Sequence, residues 1–268
     1  MSAEFAVISL SLFASFFWGA GDFTGGLTSK RMDAYGLVLI AHLISVPVLI
    51  MLALLTGETL PPISDLLWSA GAGISGAIAL TTFYRALSEG NMGVVAPVTA
   101  VGATALPVIF AIFTEGLPTT LQMIGFLLAL VGVWFISQSD DIMTANVNIR
   151  RSLMMALVAS LGFGGFFVLV DQAESTSVLW KLVAARSGSS VFLLGLVTVL
   201  KRRWLPERDL LPAVVGVGIL DLLGNAFFIM AEQQGRLDIS VVLSSLYPAV
   251  TLLLARFILQ ERLSTIQF

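Results

Sequence analysis

Nine stretches of this 268-residue chain are each apolar over close to twenty residues, and that leaves few folds open. They are roughly 5–27, 34–55, 66–87, 93–114, 121–138, 152–171, 182–200, 210–231 and 239–259. A helix needs about 20 such residues to cross a hydrocarbon core of about 30 Å. In lipid each backbone N–H and C=O must find its partner inside the structure, so isolated apolar runs cross as helices. The remainder of the chain cannot solvate a globular surface: 57% of residues are hydrophobic and 12% charged, against about half and a quarter in soluble domains. The sequence therefore predicts an all-α, multi-pass integral membrane protein. No basic segment precedes the first run and no small-residue cleavage site follows it. It reads as a retained helix rather than a removed signal.

A second feature orders the spans. Sliding the chain by 145 residues carries Ala86 onto Ala231, Gly90 onto Gly235 and Thr99 onto Ser244. The same shift takes Ala14-Ser15 onto Ala159-Ser160, Gly19 onto Gly164 and Gly73 onto Gly218, without a gap. A constant long offset is the mark of an internal repeat. The expected division is a first repeat of five spans over 1–138, a connecting loop over 139–151, and a second repeat of four spans over 152–268. An odd number of spans per repeat turns the second copy over in the membrane. Inverted repeats of this kind place a site near the midplane, between the halves. Phe268 falls on Met123, where the fifth span begins, so the counterpart of that span, a tenth helix, is missing; truncation is the favoured reading over a nine-span variant.

Basic residues set the expected orientation. Loops after odd-numbered spans carry Lys30, Arg31, Arg150, Arg151, Lys201, Arg202, Arg203, Arg208 and Arg262, while loops after even-numbered spans carry Lys181 and Arg236. Short basic loops stay in the cytoplasm, which puts Met1 outside and the protein in the cell (plasma or inner) membrane.

Composition also narrows the chemistry. The chain has no cysteine and one histidine, which excludes disulfides and Cys-ligated or His-rich metal sites. No glycine-rich nucleotide loop follows a strand, so an ATP-driven P-loop pump is excluded, and neither a cofactor nor a catalytic triad is indicated. A net charge of −3 makes no case for nucleic acid.

What stands out is polarity inside the spans. A charge at the bilayer centre costs about 2.5–3.5 kcal/mol on insertion scales and usually faces a cavity. Asp221, Asn225, Phe228 and Glu232 share one face of span eight by their i, i+4, i+7, i+11 spacing. Ser11, Ser15, Trp18 and Asp22 repeat the pattern in span one, and Ser240, Ser244, Tyr247 and Thr251 in span nine. Such Ser/Thr stripes serve equally as close-packing faces. Trp18, Asp22, Tyr84, Asp221, Asn225, Phe228, Ser244 and Tyr247 are the candidate solute contacts. Asp22, His42 and Asp221 are the candidates for proton coupling, although a lone intramembrane His more often serves as a neutral helix contact. Arg186 either snorkels to the interface or balances a cavity carboxylate. Arg85, Glu89, Glu232 and Arg256 read as interfacial anchors. Pro97, Pro107 and Pro248 are expected to kink or interrupt spans four and nine. Asp221→Asn is expected to leave the fold intact, by removing a desolvation penalty, and to impair transport.

Three motifs carry a resemblance. Phe17-Trp18-Gly19 resembles the opening of the EamA family of the drug/metabolite transporter superfamily. Tyr84-Arg85-Ala86-Leu87 followed by Val94-Val95-Ala96-Pro97-Val98 resembles that family's third-to-fourth span connection, and Leu259-Gln260-Glu261-Arg262-Leu263 its Gly-Glu-Arg-Leu motif. Glu115-Gly116-Leu117 departs from the first copy of that motif. The resemblance implies a ten-span, five-plus-five plan and a secondary carrier for a small metabolite or drug-like solute, often an exporter. A non-transporting membrane scaffold or lipid-handling subunit is the alternative.

Overall fold

The computed structural model describes residues 3–89, 92–114, 116–120, 123–128, 131 and 147–259, with side chains omitted at a few of these. Nine helices organise them: α1 (Ala3–Thr28), α2 (Ala34–Thr56), α3 (Ile63–Glu89), α4 (Met92–Thr114), α5 (Val147–Asp171), α6 (Val178–Val199), α7 (Leu211–Glu232), α8 (Leu237–Ser244) and α9 (Tyr247–Leu259). Eight stretches among them are long and apolar enough to cross a membrane, α8 and α9 together making one. They coincide with eight of the nine expected spans. The other, 121–138, lies largely outside the described residues.

Local chemistry starts and stops these helices. Asp33 caps α2, its carboxylate accepting from Tyr35 N at 3.0 Å. Gly57 ends the helix with φ 70°, returning its N–H to Ala53 O and Leu54 O; that left-handed turn suits glycine. Ser177 caps α6 by accepting from Trp180 N at 3.2 Å. The Glu58 carboxylate accepts from the Ser177 hydroxyl and from Leu179 N, bringing negative charge to the positive end of α6.

Three expectations need correction. Pro97 and Pro107 lie inside a continuous α4; span four is not interrupted, because a helix can absorb the lost N–H where neighbouring elements shield the freed carbonyl. Span nine does break, at Ser245–Leu246, between α8 and α9 and ahead of Pro248. Lys181 is not in a loop either. It stands in the first turn of α6 and is buried, so the even-numbered loops keep only Arg236. Span six likewise begins at Val147, inside the expected 139–151 connection.

Packing repeats under exchange of the two halves. Helix α1 packs on α7, and α5 on α3; α1 meets α8 and α9, and α5 meets α4; α2 lies against both α6 and α7, and α6 against α3 as well. The exchange reaches single hydrogen bonds. Thr99 Oγ1 donates to Ala156 O at 3.5 Å, and Ser244 Oγ donates to Ser11 O at 3.3 Å. Shifted by 145 residues, each bond becomes the other with its halves swapped. Close backbone approach recurs at equivalent glycines, with partners one residue out of that register: a Cβ on Gly218 would press to 3.0 Å from Ala41 O, and one on Gly73 would collide with Ala185 O. Small residues let helices approach where lipid supplies no hydrophobic drive between them.

The loops sort into two sets. Arg31 pairs with Asp209 at 2.6 Å, Arg202 with Asp33 at 3.5 Å, and Arg151 with Glu89 at 3.5 Å. These join loops after odd-numbered spans. The other set is joined by Trp180 Nε1 donating to Glu58 O at 3.0 Å, Ser175 N to Asp65 at 2.9 Å, and Arg236 to Gly116 O at 2.9 Å.

Candidate functional site

A cavity with about 850 Å³ of empty space, its open portions included, lies where the repeats meet. It touches all eight spans of the described residues. Asp221, at the centre of the 22-residue α7, marks its level in the bundle.

Asp221 is the hub of a buried network. Arg186 of α6 reaches its Oδ2 at 2.6 Å, and His42 Nε2 of α2 lies 3.4 Å from the same oxygen. Asn225, one turn on, donates to Asp221 Oδ1 at 3.1 Å and to its carbonyl at 2.6 Å. Arg186 also abuts His42 Nε2. An arginine has only donors, so that ring nitrogen carries the lone pair. His42 is then the neutral tautomer with its proton on Nδ1, which donates to Ser189 Oγ at 2.7 Å. Ser189 passes its own proton to Arg186 O at 3.0 Å. Arg186 is thus the counter-charge of Asp221 and does not snorkel. Spans two and seven enter the site by this route, beyond spans one, eight and nine that carry the stripes.

Asp22 of α1 differs from Asp221 in each of these respects. It is 6% exposed and lines the cavity, yet among the described residues it accepts no hydrogen bond and meets no cation. Asp221 is the charge that acts on it, and that charge is repulsive.

The remaining candidates divide. Trp18, Asn225 and Tyr247 line the cavity. Tyr84 and Phe228 do not; both are fully buried in the core. Phe228 stacks 4.8 Å from Phe167 and 5.6 Å from Trp18, so it backs the cavity's aromatic wall. Tyr84 is covered by Gly25, whose absent side chain leaves the ring its place. Ser244 is spent on the α8–α1 hydrogen bond, and Thr251 donates to Gly19 O at 3.1 Å; these stripe positions are packing faces. Arg85 and Glu89 pair at 2.9 Å near the end of α3. The spacing missed Ser189 and left Arg186 open between two roles, because both stand on a span without a polar stripe.

The cavity has two unlike walls built from equivalent positions. Asp22 corresponds to Phe167, Asp221 to Gly76, Asn225 to Leu80, Trp18 to Phe163 and Ser245 to Ala100, and all ten line it. One wall is polar and charged, from α1, α7 and the α8–α9 break. The other, from α3, α4 and α5, is apolar and aromatic, and it meets the first where the Trp18 ring lies 5.8 Å from Phe167.

Paired helical repeats around a cavity with buried charge define a multi-pass membrane protein of the transporter class. The model of the EamA-like transporter family matches residues 5–138 and again 150–268. The chain belongs to that family, within the drug/metabolite transporter superfamily. A search of the curated proteins finds no significant match. One solved crystal structure of a protein is similar at a TM-score of 0.74 and 17% identity, over 97% of this chain and 91% of the other. At that identity the likeness speaks for the fold alone.

Proposed function

We propose that this protein is a secondary carrier that moves a small solute across the cell membrane by alternating access, exporting it. The exchange of contacts between halves, together with five spans in the first, supports an inverted pair of repeats, divided as 1–138 and 152–268 about a 139–151 connection. Rocking one repeat against the other would expose the cavity to each side in turn. The observation that carries the reading is the cavity itself: it lies between the repeats, draws on both, and holds ionisable side chains, Asp221 among them at the middle of its helix. A scaffold or lipid-handling subunit needs no such chamber, and a charge there would cost stability without return. Within the chamber Trp18, Asp22, Asn225 and Tyr247 are the solute contacts. Coupling to protons falls to Asp22, because His42 and Asp221 are committed to Arg186.

Purified protein in proteoliposomes, offered radiolabelled amino acids, sugars and amine drugs, tests this directly. Saturable flux of at least one solute above protein-free vesicles is expected. Absence of flux for the whole panel, from protein that remains folded and monodisperse, would remove the carrier reading.

A further inference from the structure

The charges facing the cavity do not balance. Asp22 and Asp221 are acidic, Arg186 is basic, and His42 is held neutral by the direction of its hydrogen bonds. Arg186 is taken by Asp221 at 2.6 Å. One carboxylate, Asp22, is left in a buried site without a cation among the described residues.

A second group points to the same place. Tyr247 lines the cavity, and its hydroxyl is buried with no hydrogen-bond partner among the described residues. Tyr247 is 7% exposed, and its backbone lies against Gly19 of α1, the helix that carries Asp22. A buried polar atom is unfavourable to leave without a partner, so both groups stand ready for a ligand that carries donors and positive charge. Trp18 adds an aromatic face beside them, which attracts cations. Phe163, Phe167 and Leu80 present apolar surface to the same cavity at the positions where the other repeat carries Trp18, Asp22 and Asn225. An occupant must therefore be charged at one end and apolar at the other. An anion would meet two carboxylates and an arginine already paired.

We infer that the carrier's solute is an organic monocation, a protonated amine with an aromatic or aliphatic body, whose ammonium group binds between the Asp22 carboxylate and the Tyr247 hydroxyl. The body lies on the apolar wall. This rests on the carrier reading and names its solute class.

Three probes of one shape separate charge from bulk: 2-phenylethylammonium, neutral 2-phenylethanol and anionic 3-phenylpropanoate. Binding of tritiated 2-phenylethylammonium to the purified full chain is expected to saturate, and the other two to compete poorly. Asp22→Asn should weaken it about tenfold or more, the scale of one lost charge-assisted hydrogen bond, and Tyr247→Phe by a smaller factor. The competition series on the parent protein stands even where a variant fails to fold. No binding of the ammonium probe, equal competition by all three, unchanged affinity in folded Asp22→Asn, or simple competition by sodium would each overturn the assignment. Flux of a neutral or anionic solute without ammonium binding would sink the solute class and spare the carrier. Ammonium binding without any flux would do the reverse.

Discussion

Asp221 and Asp22 are the same residue type at comparable depth, and their surroundings set them to different tasks. Viewed as an isolated charge in a span, Asp221 should tolerate replacement by asparagine. With Arg186 2.6 Å away the expectation changes. The neutral side chain would strand a buried guanidinium, and breaking a buried pair on one side costs about 3–5 kcal/mol. Asp221→Asn is thus expected to lower thermal stability in detergent sharply, as is Arg186→Met. The double variant Asp221→Asn/Arg186→Met should recover most of the loss, because no charge is left unpaired. A double variant that melts at the sum of the two single losses would show that the charges act independently. Among the described residues Asp22 has no such partner to strand, so Asp22→Asn should leave stability unchanged or raised.

At the scale of the element, close approach is set by missing side chains. Gly73 brings α3 onto the Ala185 carbonyl of α6, where a Cβ has no room. Gly73→Val should therefore part the two helices and yield aggregated protein in size-exclusion chromatography. Gly216→Ala is the control. Nothing lies within 4 Å of a Cβ built there, so this variant should remain monodisperse, with a gain in helix propensity of up to about 1 kcal/mol. Monodisperse Gly73→Val at parental melting temperature would mean that the α3–α6 contact gives way more easily than its geometry implies. The α8–α9 break makes a related point. Ser245 lines the cavity from the interruption itself, and irregular backbone is tolerated at membrane depth where it borders a cavity or is buried in protein.

For the whole molecule, the two loop sets lie at opposite ends of the helices, and the basic residues crowd one of them. With Lys181 inside α6, the imbalance is steeper than the loop reading implied. Short basic loops stay cytoplasmic. A cysteine at Arg203 should consequently resist an impermeant maleimide in intact cells, and one at Leu60, in the opposite loop, should react. The chain has no native thiol to confuse the result. The opposite labelling pattern would invert the proposed topology.

The apolar runs by themselves determined the helices and most of their limits, since crossing lipid is a requirement that each segment meets alone. The 145-residue shift determined that there are two repeats, and the Trp18–Asp22 and Asp221–Asn225 spacings found four residues that line the cavity. Helical spacing marks a face but not what covers it. Phe228 shares the face of Asp221 and is sealed in the core, and Ser244 shares that of Tyr247 and is spent on Ser11. Only the tertiary structure decided which carboxylate is free. Arg186 and His42 come from α6 and α2, and they meet Asp221 because three helices converge. Ion pairing depends on distances between segments far apart in the chain, and no local pattern in α7 encodes them.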